Sequence, residues 1–174
     1  MSVNFDIKDK VAVLTGAGGI ICGAMAREFA KLGARVALLD LFPEKAERIA
    51  DEIRAGGGDA LAVQADVLDR DNLIRAREAV VAHFGHVDIL VNGAGGNKPE
   101  ATTGPDNPFF SLDLDAIKWV FDLNVTGAVL TTQVFGELMA EQGYGNVVNI
   151  ASMASVLPLT NTIAYSGAKS AVAN

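Results

Sequence analysis

The chain has 174 residues, of which 50% are hydrophobic and 20% are charged, with 18 glycines and 5 prolines. This composition is typical of a single globular domain, and it excludes an intrinsically disordered chain, a collagen and a repeat solenoid. The formal net charge of −7 predicts a surface that repels nucleic acid backbones and anionic lipid headgroups, because those partners are themselves negatively charged. We therefore expect neither a nucleic acid nor a membrane partner.

The cysteine content and the apolar runs indicate a cytoplasmic protein. Cys22 is the single cysteine of the chain, so a disulfide within the chain is excluded, which fits a reducing compartment. No apolar run approaches the roughly 20 residues that a membrane-spanning helix needs. Residues 1–6 lack the pattern of a signal peptide, and we expect a cytoplasmic location.

Apolar runs that favour strands alternate with amphipathic stretches that favour helices along the whole chain. The predicted elements in chain order are a strand at 10–15, a helix at 20–32, a strand at 35–40, a helix at 43–55, a strand at 60–64, a helix at 70–84, a strand at 87–91, a helix at 113–142, a strand at 146–150 and a helix from about 161. No linker divides them, so residues 1–174 are predicted to form one domain. Strands separated by helices require right-handed parallel crossovers, which predicts an α/β fold with a doubly wound parallel sheet between two helical layers. Ligands of such sheets bind at the carboxyl ends of the strands, and we place the candidate site there.

A glycine-rich turn at residues 15–24 separates the first strand from the first helix. Its glycines permit a tight turn and a close approach of the backbone to a pyrophosphate, which the N–H groups at a helix N-terminus then bind. The residues assigned to this contact are Gly16, Gly18, Gly19, Ile20 and Ile21. Because Ile21 stands where the pattern G-x-G-x-x-G has its third glycine, a plain strand-to-helix turn remains the alternative.

Asp40 closes the second strand, about 20 residues after the glycine turn, where an acidic side chain accepts hydrogen bonds from the adenosine ribose. A carboxylate there repels the 2′-phosphate of NADP. Neither Ala17 in the turn nor Leu41, which we also assign to the nucleotide site, supplies a cation for that phosphate. The pattern therefore favours NAD over NADP, and the alternative is a solvated acidic residue at the end of a strand.

Two more segments follow strands at the same predicted edge of the sheet. Asp66 and Val67 come after the third strand, and Asn92, Gly93 and Ala94 come after the fourth. We assign both segments to the cofactor site, although each alone is also compatible with a plain turn.

Tyr165 and Lys169 are four residues apart at the start of the final predicted helix, so they project from one face of it. A free tyrosine has a pKa of about 10, which is too high for acid–base chemistry at neutral pH, but a neighbouring ammonium stabilises the phenolate. Ser152, which follows the fifth strand, is placed to donate a hydrogen bond to the same substrate oxygen if the fold brings the three residues together. Since Tyr-x-x-x-Lys also occurs by chance on amphipathic helices, the upstream segments decide its meaning.

These segments together resemble the short-chain dehydrogenase/reductase family along essentially the whole chain. They occur in the family's order: Thr15 and Gly16, Asp40, Asp66 and Val67, Asn92 to Gly95, Asn124, Ser152, and Tyr165 to Lys169. The resemblance implies a Rossmann fold and an NAD-dependent oxidoreductase that acts on a secondary alcohol or ketone. It implies that Tyr165 is the proton donor and acceptor, and that Lys169 lowers the pKa of Tyr165 and binds the nicotinamide ribose. It further implies that Ser152 orients the substrate carbonyl and that Asn124 holds a water of the proton relay.

The glycine turn departs from the family's usual pattern, which has glycines where this chain has Ile20 and Cys22. Cys22 threatens to crowd the pyrophosphate, although Gly18 and Gly19 still allow a close approach. With the stretch 95–103, the displaced glycines resemble the sugar-acid reductases that interconvert fructuronate and mannonate. Lys98 in this stretch is a candidate partner for a substrate carboxylate, or else a solvated loop lysine.

Two other functions remain as alternatives to a sugar-acid or polyol dehydrogenase. A reductase of 3-oxoacyl thioesters is expected to use NADP, which Asp40 disfavours. A non-catalytic dinucleotide-binding module is the other alternative, because the family continues beyond the tyrosine helix into a sixth strand, a covering loop and a seventh strand. For the same reason we expect the 174-residue chain alone to be a poor enzyme.

The resemblance also implies a homodimer or homotetramer, in which the long helix from Asp113 and the helix with Tyr165 pack across two-fold axes. Three aromatic side chains of the long helix are expected in the core or at a subunit interface: Trp119, Phe121 and Phe135. His83 and His86 have no neighbouring ligands in the sequence, and no metal site is expected.

Overall fold

A computed structural model of the protein describes residues 6–157 and 159–174. The signal-peptide expectation falls mainly on residues 1–5, which lie outside the described residues. The strands are β1 Val11–Thr15, β2 Arg35–Asp40, β3 Ala60–Gln64, β4 Ile89–Asn92 and β5 Asn146–Asn149. The helices are α1 Ile20–Lys31, α2 Pro43–Ala55, α3 Arg70–Phe84, α4 Leu114–Phe121, α5 Gly127–Gln142 and α6 Ile163–Ala173. Short 3₁₀ turns occur at Pro99–Ala101, Phe109–Ser111 and Met153–Ser155.

The strands form one sheet in the order β3-β2-β1-β4-β5, and all neighbouring strands are parallel. Val11 and Val13 face a core shared with α3 and α5, whereas Ala12 and Leu14 face a core shared with α1 and α2. Because successive side chains of a strand point to opposite faces, β1 is buried on both sides. The structure confirms the predicted doubly wound sheet between helical layers, and the strand order reverses between β1 and β4, where ligands bind in such folds.

Among the element boundaries that differ from the prediction are the starts of β4 and α6. The side chain of Gln142 accepts the Val87 N–H at 3.2 Å and donates to the Val87 carbonyl at 2.8 Å, so β4 begins at Ile89 instead of at residue 87. Asn161 has a φ of +68°, which is not helical, and α6 accordingly begins at Ile163 instead of at residue 161.

The helix predicted at 113–142 is interrupted, and this prediction is corrected. Residues Asp122–Thr126 form a π turn between α4 and α5, and the Gly127 N–H reaches back to the carbonyl of Asp122. Within this turn the side-chain amide of Asn124 donates to the Val120 carbonyl at 2.8 Å, so a side chain takes part in the hydrogen bonding of the helix where its pattern changes. π turns inside helices are frequent at functional sites.

β5 lies at one edge of the sheet, with Val147 and Val148 partly exposed there. Of the aromatic residues in the long helical region, Phe135 is fully buried, whereas Phe121 is 38% exposed and Trp119 is half-buried. Within the described part of the chain, no helix combines the length and the apolar character that crossing a bilayer requires.

Candidate functional site

An open cleft of about 420 Å³ lies at the carboxyl ends of β1, β2 and β4. Eight of the residues assigned to the cofactor line it: Gly16, Gly18, Gly19, Ile20, Ile21, Asp40, Gly93 and Ala94. The other four assigned residues, Leu41, Asp66, Val67 and Asn92, lie outside its wall. Residues from three separate predicted segments thus share one cleft at the switch point of the sheet.

The glycine turn brings the backbone of β1 against the segment after β4. Gly16 has a φ of +63°, and a Cβ there would lie 2.9 Å from the Cα of Ala94, so this position requires glycine. Gly19 precedes the first turn of α1, where Ile20 and Ile21 are exposed. Because the first N–H groups of a helix have no partner within it, this turn can bind a pyrophosphate.

The carboxylate of Asp40 is oriented by two backbone groups. Oδ2 accepts the Gly18 N–H at 2.9 Å, and Oδ1 accepts the Phe42 N–H at 3.0 Å. A carboxylate oxygen has a second lone pair, so each oxygen can still accept a ribose hydroxyl. The turn, the helix N-terminus and this carboxylate match the phosphate and ribose groups of a dinucleotide, and the cleft therefore fits a nicotinamide dinucleotide.

Lys45 is a cleft residue that the sequence argument missed. A Cβ on Gly18 would lie 2.5 Å from the Cβ of Lys45, and the Lys45 Nζ lies 4.2 Å from the ring centre of Phe42. Lys45 therefore adds a cation to the lining of the cleft that also contains Asp40, which the sequence expectation did not include. The available signal was the place of Lys45 in the first turn of the helix that follows Asp40.

Cys22 is buried beside the glycine turn, with its side chain against the segment after β4. A Cβ on Gly93 would lie 2.0 Å from the Cys22 Sγ, so the sulfur occupies the space next to that glycine. Burial raises the pKa of the Cys22 thiol, and the charge of Asp40 raises it further, whereas Lys169 acts in the opposite direction.

Asn124 and Lys169 meet at Gly95, close to the cleft. A Cβ on Gly95 would lie 2.6 Å from the Asn124 Oδ1 and 3.2 Å from the Lys169 Nζ. The backbone of Gly96 holds the side chain of Asn124 by two hydrogen bonds. The Asn124 Nδ2 donates to the Gly96 carbonyl at 2.7 Å, and the Gly96 N–H donates to the Asn124 Oδ1 at 3.3 Å. The Lys169 Nζ donates to the Ile150 carbonyl at 2.7 Å. Burial lowers the pKa of Lys169, with an opposing influence from Cys22.

Tyr165 and Ser152 come from α6 and from the turn after β5. The Lys169 Nζ lies 5.9 Å from the centre of the Tyr165 ring, so the two side chains are neighbours as the four-residue spacing predicts. The Ser152 Oγ accepts the Ala154 N–H at 3.2 Å and caps the 3₁₀ turn. Among the hydrogen bonds of residues 6–157 and 159–174, none joins Ser152 to Tyr165, and their convergence on one substrate oxygen stays a prediction.

Lys98 lies against the first part of the long helical region, with its Nζ 4.3 Å from the ring centre of Trp119. Trp119 and Tyr165 both pack against the small apolar cluster between α4 and α6. The two histidines face separate carboxylates, His83 that of Asp59 at 3.5 Å and His86 that of Asp88 at 3.0 Å.

Comparisons with known proteins agree with this geometry. The sequence profile of the short chain dehydrogenase family matches residues 10–174. An uncharacterized oxidoreductase of Bacillus subtilis, UxuB, is 44% identical over 97% of this chain and 64% of its own. D-threitol dehydrogenase of Mycolicibacterium smegmatis is 37% identical over 97% of this chain and 63% of its own.

A solved structure has the same architecture over nearly the whole chain. It is a Haemophilus influenza protein, provisionally described as a D-mannonate oxidoreductase, with bound NAD. It superposes with a TM-score of 0.91 at 42% identity, over 97% of this chain and 64% of that one. The chain thus spans less than two thirds of the length of these relatives.

Proposed function

The chain belongs to the short chain dehydrogenase family, and we propose on that premise that the full-length protein is an NAD-dependent oxidoreductase. It transfers hydride between the nicotinamide and the carbon of a secondary alcohol or ketone. Its substrate is a sugar acid or a polyol, in the manner of the reaction that interconverts fructuronate and mannonate. NADP is the less favoured cofactor.

One observation carries this proposal: Asn124 and Lys169 meet at Gly95, beside the cleft that contains Asp40 and the glycine turn. A buried lysine beside a tyrosine places a charge and a proton-bearing hydroxyl next to the cleft, which suits proton transfer as well as nucleotide binding. Burying an ammonium is costly, because its charge loses solvation. Such a residue beside a binding cleft is a candidate for function.

The candidate residues have two roles: those that line the cleft bind the nucleotide, and Tyr165 on α6 transfers the proton. The first turn of α1 binds the pyrophosphate, and Asp40 accepts the ribose hydroxyls. When bound, the cofactor supplies the hydride. Tyr165 gives its hydroxyl proton to the carbonyl oxygen during reduction and takes it back during oxidation, as a general acid and base.

The other candidate catalytic side chains support that proton transfer. Lys169 places a positive charge beside Tyr165, which stabilises the negative charge that develops during proton transfer. Ser152 donates a hydrogen bond to the substrate oxygen. Asn124, held from both sides by Gly96, positions a water that returns a proton from solvent.

The substrate class is supported by Lys98 and by the relatives. An ammonium that rests on an aromatic face keeps its charge while losing part of its water, which suits recognition of a carboxylate. The contact of Lys98 with Trp119 places that charge on the helix pair that also carries Tyr165. The provisional description of the solved structure as a D-mannonate oxidoreductase and the name of D-threitol dehydrogenase agree with polyhydroxylated substrates.

The proposed partners are this small-molecule substrate and further copies of the chain. The homodimer or homotetramer is proposed from the family to which the chain belongs. Cytoplasmic location stays part of the proposal.

The test is turnover by the full-length protein. NADH consumption is measured with fructuronate, and NAD reduction is measured with mannonate and with polyols such as threitol. We expect turnover of the sugar acid, no turnover by Tyr165→Phe, and weakened discrimination between acids and polyols in Lys98→Met. Equal rates of Tyr165→Phe and the unaltered protein would contradict the mechanism. Nucleotide binding without turnover of any of these compounds would favour a binding module.

A further inference from the structure

The hydroxyl of Ser155 joins the turn after β5 to α6. Its Oγ accepts the Ser152 N–H at 3.3 Å and donates to the Lys169 carbonyl at 2.9 Å. A hydroxyl has one hydrogen to donate and two lone pairs that accept, so it makes both bonds at once. One side-chain atom therefore connects the backbone of Ser152 with the backbone of Lys169.

Two more hydrogen bonds link the same elements. The Ser170 Oγ donates to the Ser155 carbonyl at 3.1 Å, and the Lys169 Nζ donates to the Ile150 carbonyl at 2.7 Å. Ser155 thus contacts α6 with both its side chain and its main chain. Ser155 lies outside the wall of the nucleotide cleft, so its contacts fix the position of the turn relative to α6 and do not shape the cleft.

We propose that Ser155 is a positioning residue, which sets Ser152 on the turn at the correct distance from Tyr165 and Lys169 on α6. The proposal rests on the proposed function, because the distance matters only if these side chains act on one substrate. Without the hydroxyl, the Ser152 N–H loses its acceptor and the turn is free to shift relative to the helix. Misplacing a catalytic group by about an ångström costs on the order of a hundredfold in rate.

The experiment compares Ser155→Ala with Ser155→Thr and with a matched control in the full-length protein. Ser111→Ala is the control, because the Ser111 hydroxyl also donates to a backbone carbonyl, that of Pro108 at 3.0 Å, at an exposed position away from the turn. We expect Ser155→Ala to lower kcat by about tenfold to a hundredfold while the Kd for NADH stays unchanged. Ser155→Thr keeps the hydroxyl and should recover most of the lost kcat, and Ser111→Ala should retain the original kcat.

A second measurement does not depend on turnover. Hydrogen exchange should be faster at the Ser152 amide in Ser155→Ala, with no change in β2. An unchanged kcat in Ser155→Ala would overturn the proposal whatever the exchange at Ser152, as would a parallel loss of kcat and NADH affinity, which indicates a general structural role. If the unaltered protein turns over no ketone, the proposed function has failed. In that case the exchange of the Ser152 amide still decides whether Ser155 fixes the turn.

Discussion

Replacing Gly95 with alanine tests whether the side chains of Asn124 and Lys169 must keep their present positions for activity. The added Cβ would lie 2.6 Å from the Asn124 Oδ1 and must separate from it by about 0.8 Å to reach 3.4 Å, where ordinary contact begins. Asn124 has little freedom to retreat, because its amide also donates to Val120 at 2.8 Å. Such overpacking costs roughly 1–3 kcal/mol of stability, and a shift of this size at a catalytic group lowers kcat by up to about a hundredfold.

The matched control is Gly96→Ala, one residue further along. A Cβ on Gly96 would meet only the Leu123 Cδ2, at 3.7 Å, which is an ordinary contact. The assays are thermal unfolding of both variants, and kcat and KM of the full-length protein with NADH. We expect a loss of stability and kcat in Gly95→Ala and nearly unchanged values in Gly96→Ala. Equal behaviour of the two variants would refute the inference that Gly95 leaves room for Asn124 and Lys169.

Three further predictions concern the cofactor cleft and the buried titratable groups. Asp40→Ala combined with Leu41→Arg should shift the binding preference toward NADPH by about tenfold, or about 1.4 kcal/mol, as measured by nucleotide titration. Tighter binding of NADPH than of NADH by the unaltered protein would contradict the role of Asp40. The Cys22 thiol should react slowly with iodoacetamide at neutral pH and rapidly in urea, because burial raises its pKa and the thiolate is the nucleophile; fast reaction of the folded chain would contradict this. The folded-state pKa of Lys169 lies below its ordinary 10.5. Between the folded-state pKa of Lys169 and 10.5, the unfolded chain binds more protons than the folded chain, so the contribution of Lys169 to the free energy of unfolding rises with pH. In urea unfolding at a series of pH values, Lys169→Met should lack that rise.

The sequence predicts the strands and the sheet well because their pattern is local. The continuous apolar run of β1 reflects burial on both faces, and the glycine turn and Asp40 lie at the ends of strands that the pattern locates directly. Their meeting in one cleft follows from the parallel topology alone. Eight of the assigned cofactor residues line that cleft for this reason.

The features that the sequence did not predict depend on contacts between distant segments. The π turn involves Asn124 and Gly96, which are 28 residues apart. The start of β4 depends on the contact of Val87 with Gln142, which are 55 residues apart. Lys45 was missed because its place in the cleft depends on how α2 is rotated against Gly18. None of these contacts leaves a periodic signal in the sequence.

The pair of Cys22 and Gly93 shows how the chain accommodates a side chain where the family it resembles usually has glycine. A Cβ on Gly93 would lie 2.0 Å from the Cys22 Sγ but 3.6 Å from the Cys22 Cβ, and 2.9 Å from the Thr15 carbonyl oxygen. Gly93→Ala alone should therefore cost roughly 1–3 kcal/mol of stability. Cys22→Ala removes only the sulfur, and combining it with Gly93→Ala should recover about 0.5–3 kcal/mol relative to the sum of the single changes. The contact with Thr15 persists, so the double variant should remain less stable than the original chain. Urea unfolding of the original chain, the two single variants and the double variant measures the coupling between the two positions. If the changes in the free energy of unfolding add to within about 0.5 kcal/mol, the space beside Gly93 is not what accommodates the sulfur.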